Sequence, residues 1–191
     1  MSEAEPPGLA LRLAEAMIFA SAEPVSERAL LDMLDSQQAL EGSGVEALRR
    51  VLDALVLRYA QSGVRPVQVA GGWQFRTAPD LAPCLTRIVQ RPRRLPRAAM
   101  ETLSVIAYHQ PCTRTEIEEI RGVALGQATL DSLLEASLIA PCGRKEVPGR
   151  PVLWSTSAAF LRHFGLRDLR DLPRREELLL EPTVPAMPEA C

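Results

Sequence analysis

One order of apolar patterning occurs twice in this 191-residue sequence, and it constrains the fold more than any other feature. In each half, three stretches have apolar residues at spacings of three and four, which is the spacing of one helical face. Two short stretches with β-strand character follow them, with turn residues between the two, as in a β-hairpin. A last helical stretch then ends each repeat.

The first repeat contains recognisable start and turn signals. Ser26 is a predicted N-cap, and Ser43 with Glu46 forms a capping-box pattern before the third helix. Gly71-Gly72 separates Val67-Gln68-Val69 from Trp73-Gln74-Phe75, so it is predicted as the hairpin turn. Helices are predicted over about 9–20, 26–34, 45–59 and 80–90.

The second repeat has equivalent signals. Thr113 and Glu116 make another capping box, Gly122 provides a helix exit, and Pro148-Gly149 fits a turn that needs positive φ at its second position. Helices are predicted over about 99–110, 113–120, 126–137 and 157–164, and strands over 138–140 and 152–154. Three helices, a hairpin and a final helix describe a winged helix, so we predict an α+β chain, mostly α, of two tandem winged-helix domains.

The segment Arg91-Pro92-Arg93-Arg94-Leu95-Pro96 is predicted to separate the domains, because two prolines forbid a continuous helix. The predicted division is an N-terminal winged helix over 1–90, a linker over 91–96 and a C-terminal winged helix over 97–173. Residues 174–191 are acidic and rich in proline, and we expect this tail to be disordered.

Composition narrows the functional classes. No apolar run approaches the roughly 18 residues of a membrane span, and the acidic start MSEAEPPG does not resemble a signal peptide, so we expect a cytoplasmic protein without membrane contact. The four cysteines are 28 or more residues apart and form no CxxC or Cys/His cluster. We therefore expect neither a metal site nor a cofactor.

Catalytic and phosphate-binding interpretations have little support. The two histidines, His109 and His163, lie at predicted helix ends, and Glu116 is used in capping, so no nucleophile is paired with a base. We predict a protein that is not an enzyme. The glycines of GRKEVPGRP (143–151) lack the phosphate-loop spacing and do not precede a helix, so we interpret this stretch as a basic hairpin that meets a partner.

In a DNA-binding winged helix, the third helix would read the bases; in the second repeat this helix is predicted over 125–137. It has no cation and carries Asp131 and Glu135, whereas base-reading helices present Arg, Lys, Asn or Gln. Only Gln127, Thr129 and Ser132 could reach bases. A winged-helix transcription regulator remains the alternative function, and weak phosphate contacts by the hairpin remain open.

Longer motifs in the second half resemble the segregation and condensation protein B family. They are ETLSVIAYHQP, TRTEIEEIRGV, GRKEVPGRP and FGLRDLRDLP, all between residues 101 and 173, and LRLAEAMIFASAEPVS and GGWQFRTAPDLAP match in the first half. The resemblance covers about residues 9–175. The sequence departs from the family at Ser137, where glycine is usual, and at Trp154-Ser155, where Tyr-Gly is common.

The resemblance implies an accessory subunit of a bacterial condensin that acts in chromosome condensation and partition. It implies a homodimer formed by the N-terminal domains, a kleisin subunit, ScpA, bound by the C-terminal domains, and an Smc ATPase reached through the kleisin. Chromosomal DNA would be contacted indirectly or weakly, in association with the nucleoid. We place the kleisin contacts on the first two helices and the hairpin of the second domain. The candidate residues there are Glu101, Tyr108, Glu116, Arg144, Lys145 and Arg150.

A dimer surface has one candidate in the sequence. Val56, Leu57 and Tyr59 add apolar surface beside the main stripe of the third helix. They could equally pack beneath the first hairpin, and the sequence leaves both arrangements open.

Overall fold

The structure is a computed structural model that describes residues 8–40, 44–85 and 95–174. Within these residues it is a mixed α and β protein with eight α-helices and two three-stranded antiparallel sheets. The first half contains α1 (Leu9–Ala20), β1 (Val25–Ser26), α2 (Glu27–Ser36), α3 (Val45–Arg58), β2 (Val64–Val69), β3 (Gly72–Thr77) and α4 (Ala82–Leu85).

The second half repeats this order of elements. It contains α5 (Arg97–His109), β4 (Cys112–Thr113), α6 (Arg114–Arg121), α7 (Gln127–Glu135), β5 (Ile139–Arg144), β6 (Val152–Thr156) and α8 (Ala158–Phe164). One turn of 3₁₀ helix, Leu169–Asp171, follows α8. Among the described residues, no helix has the length and apolar character needed to cross a bilayer.

Each sheet places the second strand of its hairpin in the centre. The strand orders are β1-β3-β2 and β4-β6-β5, so the two-residue strands β1 and β4 form one edge of each sheet. The other edges, β2 and β5, each contain a proline: Pro66 opposite Phe75, and Pro141 opposite Trp154.

Two separate apolar clusters hold the described residues together. The first is built on α1, α2 and α3, with Leu30, Leu34 and Leu55 fully buried. The second is built on α5, α6, α7 and α8, with Ile106, Ile117 and Leu133 at its centre. Full burial of one such side chain stabilises the fold by about 1.5–3 kcal/mol.

Several helices begin or end at the predicted cap residues. The Ser26 hydroxyl accepts from the Ala29 N–H at 3.2 Å, and Thr113 forms the predicted reciprocal capping box with Glu116. Of the two candidates for the cap of α8, Ser157 fills the role, because its hydroxyl accepts from the Phe160 N–H at 3.2 Å. Gly122 ends α6 in the left-handed region, with φ of 69°.

The first hairpin turn differs by one residue from its prediction. The turn residues are Ala70 and Gly71, and Gly72 is already in β3, paired with Ser26 of β1. A Cβ at position 72 would lie 2.9 Å from backbone atoms of Pro24 and Val25. Gly72 is therefore required by the close approach of two strands and not by the turn.

Other boundaries also differ. Helix α7 ends at Glu135, two residues before the predicted end, and Ser137 has a positive φ of 57°. Gly44 is the N-cap of α3, while the predicted cap Ser43 lies outside the described residues. The same holds for the end of the fourth predicted helix, for most of the 91–96 linker and for the tail beyond Arg174.

Candidate functional site

Helix α5 presents one continuous exposed face. Its buried residues recur with helical spacing at Ala99, Thr102, Leu103 and Ile106, which turns the opposite side to solvent. We call this opposite side the α5 stripe; it consists of Arg97, Met100, Glu101, Ser104 and Tyr108.

Glu101 lies at the centre of an ion-pair cluster that joins α5 to α6. Its Oε1 accepts from Arg97 Nε at 2.9 Å, and its Oε2 accepts from Arg121 Nη2 at 3.2 Å. The hydrogen bond from Arg97, followed by the one from Arg121, lowers the pKa of the Glu101 carboxyl. Because the Arg121 side chain is only 8% exposed, Glu101 is the carboxylate that compensates a nearly buried cation.

Glu116 joins the start of α6 to the second hairpin. Its Oε2 accepts from the Thr113 N–H at 2.7 Å, and its Oε1 accepts from Lys145 Nζ at 2.6 Å. The Lys145 hydrogen bond and then the two bonds from Thr113 lower the pKa of Glu116 to about 2. The carboxylate is therefore charged throughout the neutral range and is engaged within the chain.

The remaining predicted contacts lie on exposed surface. The Tyr108 hydroxyl donates to the Pro173 carbonyl at 2.7 Å, which holds the end of the described chain against α5. Arg144 donates to the carbonyl of Arg150 at 3.2 Å across the tip of the second hairpin, where residues 143–150 are all exposed.

Helix α6 connects these groups. Arg121, its last residue, contacts Glu101 on α5, and Glu116 in its first turn contacts Lys145 beside the hairpin. Of the six predicted residues, Glu101 and Lys145 contact α6 and Glu116 lies in it, whereas Tyr108 bonds to Pro173 and Arg144 bonds to Arg150. The side chains of all but Arg150 are already engaged within the chain. Sequence reasoning missed Met100 and Ser104, which the spacing from Arg97 to Tyr108 could have shown, and Arg121, which only the folded arrangement shows.

Two of the three side chains of α7 that could reach DNA bases, Gln127 and Ser132, are already engaged. Gln127 donates to Asp131 Oδ1 at 2.8 Å and accepts from Arg114 Nη1 at 3.1 Å, while Ser132 donates to the Thr129 carbonyl. Arg114 also pairs with Glu118, and Glu118 in turn accepts from the Leu125 N–H. This network fixes α7 against α6 and leaves few free donors for a nucleic acid.

In residues 8–40, 44–85 and 95–174, no three His, Cys, Asp or Glu side chains come together as a metal site. His163 contacts the Phe164 ring at a centroid distance of 5.0 Å, which agrees with a packing role at the end of α8.

Comparisons with known proteins agree with the motifs. The family model described as Segregation and condensation complex subunit ScpB matches residues 12–175. A segregation and condensation protein B of Desulforamulus reducens is 42% identical over 170 residues, which cover 87% of this chain and 90% of the relative. Another, from Syntrophotalea carbinolica, is 43% identical over 164 residues, or 85% and 80% of the two chains. The crystal structure of ScpB from Mycobacterium tuberculosis is 28% identical, covers 82% of this chain and 95% of its own, and has a TM-score of 0.37. This chain belongs to the family of segregation and condensation complex subunit ScpB.

Proposed function

We propose that this protein is the non-catalytic accessory subunit of a condensin-like Smc complex, needed for chromosome condensation and partition during cell division. It acts in the cytoplasm at the nucleoid as a homodimer that binds the kleisin subunit ScpA. ATP hydrolysis belongs to the Smc subunit, which it reaches through the kleisin, and contact with chromosomal DNA is indirect or weak. Family membership and the exposed α5 stripe support this proposal.

Each half is proposed to be a winged-helix domain, with the boundary at 91–96. The support is the repeated order of a helix, a short strand, two helices and a hairpin, with one antiparallel sheet in each half. The second hairpin, between β5 and β6, would be the wing that borders the kleisin site. Winged helices serve both DNA and protein recognition, so the surfaces decide between the two.

The observation that carries kleisin binding is the exposed chemistry of the α5 stripe. It combines apolar atoms of Met100 and Tyr108 with the charges of Arg97 and Glu101 around the small Ser104. Such a mixed, rigid helix face suits an amphipathic helix of a partner. In α7, by contrast, Gln127 is held by Arg114 and Asp131, which disfavours the alternative of a transcription regulator.

The dimer is proposed to use the first half of the chain. Phe19 is 80% exposed at the end of α1, beside a groove of about 480 Å³ lined by Leu9, Ala16 and Arg58 among others. Leu57 on α3 is 76% exposed. Tyr59 lies beneath the hairpin, with its ring 4.9 Å from that of Phe75 and its hydroxyl 2.6 Å from Glu15, so Phe19 and Leu57 are better candidates for the dimer surface.

Light scattering after gel filtration tests the proposal. The protein alone is expected to have the mass of a dimer, and addition of the ScpA encoded by the same genome is expected to give a stable larger species. A monomer whose elution does not change with ScpA would contradict both the dimer and the kleisin interaction.

One substitution tests whether the kleisin contact lies on the α5 stripe. Ser104→Arg puts a long cation at the centre of the stripe and removes only a hydrogen bond to the Met100 carbonyl. We expect the affinity for ScpA to fall by at least about tenfold, because the cation blocks close packing. Ala128→Arg, at an exposed position of α7, is the matched control and should bind as the unmodified protein does. Equal binding by both variants would exclude the stripe.

A further inference from the structure

The turn of the first hairpin is bonded to the other half of the chain. The N–H of Ala70 donates to the Leu166 carbonyl at 2.9 Å, and the N–H of Gly71 donates to the Arg167 carbonyl at 3.0 Å. These are two consecutive donors on two consecutive acceptors, about a hundred residues apart in the sequence. Hairpin turn amides of this kind ordinarily bond to water.

The backbone conformation of the turn makes this contact possible. Ala70 and Gly71 both have positive φ, 50° and 73°, which is the signature of a two-residue type I′ turn. The strand pair Val69 and Gly72 closes the turn, which leaves the two N–H groups between them directed away from the hairpin. Because backbone atoms supply both donors and both acceptors, the contact does not depend on particular side chains at these positions.

Side chains add to the contact on both sides. The Arg76 guanidinium of β3 donates to the carbonyl of Arg162 in α8, and the Arg162 guanidinium pairs with Glu23 in the loop before β1. Arg76 also lies against Gly165, where an added Cβ would be 2.8 Å from Arg76 Nη1. The end of α8 therefore contacts the first half at its hairpin and at its first loop.

The segment that carries the two acceptors is held firmly by local pairs. Arg167 binds Asp171 through its N–H and two guanidinium nitrogens at 2.9–3.1 Å, and Arg170 binds Asp168 in the same way at 2.7–3.1 Å. Leu166 packs against the second apolar cluster. The four charges of this segment are thus used within it, while its carbonyls are presented to the hairpin.

We propose that residues 165–171, here called the clasp, fasten the first hairpin turn to the second half and make the two halves move as one body. The clasp would set the angle between the surface on α1 and α3 and the α5 stripe. This inference concerns the free chain and holds or fails independently of dimer formation and kleisin binding.

Amide hydrogen exchange of the full-length protein, followed by NMR, tests the clasp directly. Two hydrogen bonds in a clasped state should slow exchange at Ala70 and Gly71 by about ten- to a hundredfold relative to unprotected amides. Gly149, in the exposed turn of the second hairpin, is the internal reference. If Ala70 and Gly71 exchange as fast as Gly149, relative to their intrinsic rates, the clasp does not exist in solution.

Charge reversal then links the protection to the other half. Arg162→Glu replaces the ion pair with Glu23 by two carboxylates that repel each other. This repulsion should reduce the protection of the Ala70 and Gly71 amides by about tenfold or more. Adding Glu23→Arg should restore it, and Arg28→Glu, at an exposed pair on α2, should change nothing. Protection that survives Arg162→Glu would overturn the proposal, and protection of the β2 and β3 amides reports that the hairpin remains folded.

Discussion

Removal of the Glu116 carboxylate should destabilise the second half of the chain by a predictable amount. Thr113 is 3% exposed, and its N–H has the carboxylate as its acceptor at 2.7 Å. Glu116→Ala leaves that donor without a partner, which costs about 1–3 kcal/mol. Loss of the half-exposed Lys145 pair adds about 0–1 kcal/mol. We expect the free energy of unfolding to fall by about 2 kcal/mol in total.

Two further substitutions separate the contributions. Glu116→Gln keeps an oxygen that can accept from Thr113 but removes the charge, so we expect the free energy of unfolding to fall by about 1 kcal/mol. Lys145→Met removes only the ion pair and should cost less than about 1 kcal/mol. We expect the loss of stability to be largest for Glu116→Ala, smaller for Glu116→Gln and smallest for Lys145→Met.

The charge contribution should depend on pH in one direction. Contacts with Lys145 and Thr113 lower the pKa of Glu116 from 4.5 to about 2 in the folded chain. A lowered folded pKa means that the stabilisation is complete above the unfolded pKa and is lost as pH falls toward the folded value. The difference between the unmodified protein and Glu116→Gln should therefore shrink between pH 5 and pH 2. Because the side chain is 35% exposed, solvent screening limits the difference to about 1 kcal/mol.

Urea denaturation followed by tryptophan fluorescence measures these changes. The sequence has two tryptophans, Trp73 in β3 and Trp154 in β6, one in each half. In a Trp73→Phe background, Trp154 reports the second half alone. Two results would refute the role of this carboxylate. One is a fall in the free energy of unfolding below about 0.5 kcal/mol for Glu116→Ala. The other is a stability difference between the unmodified protein and Glu116→Gln that is the same at pH 2 and pH 7.

Two further predictions concern the positive φ at Ser137 and the exposed ring of Phe19. Ser137→Gly should raise the free energy of unfolding by about 0.5–1 kcal/mol, because glycine adopts a left-handed conformation without steric cost. Ser137→Val should lower the free energy of unfolding for the opposite reason. Equal melting temperatures for the two variants would contradict this prediction. Phe19→Ser should weaken the dimer by roughly a thousandfold, since each symmetric interface loses two rings at about 2 kcal/mol each. Dilution in analytical ultracentrifugation measures the constant, and Val123→Ser, which removes exposed apolar surface in the second half, should leave it unchanged.

Local signals predicted the helices and hairpins well, because helical spacing and caps act within a few residues. Ser26, Thr113 and Gly122 all fill the predicted positions. The strands β1 and β4 were not predicted, since two residues show no alternation and pair only with a strand far along the chain. The misplaced turn at Gly71-Gly72 has the same origin, because the second glycine serves a contact with β1 that the hairpin sequence does not contain.

The candidate site was predictable as a region and not as a set of contacts. Exposure along α5 follows from its spacing, which a sequence shows. The Arg121–Glu101 and Lys145–Glu116 pairs join residues 20 and 29 positions apart, and they exist only after α6 packs between α5 and the hairpin. The kleisin contacts themselves stay predictions.

The prolines in the outer strands bear on how the protein behaves at high concentration. Pro66 and Pro141 each remove a backbone donor from the outer strand of a sheet, and the opposite edges are only two residues long. A long, regular edge is a template for unwanted strand addition and aggregation. With both outer edges interrupted in this way, we expect sheet-to-sheet pairing between copies to be disfavoured, so that the protein can be concentrated without forming sheet-linked aggregates.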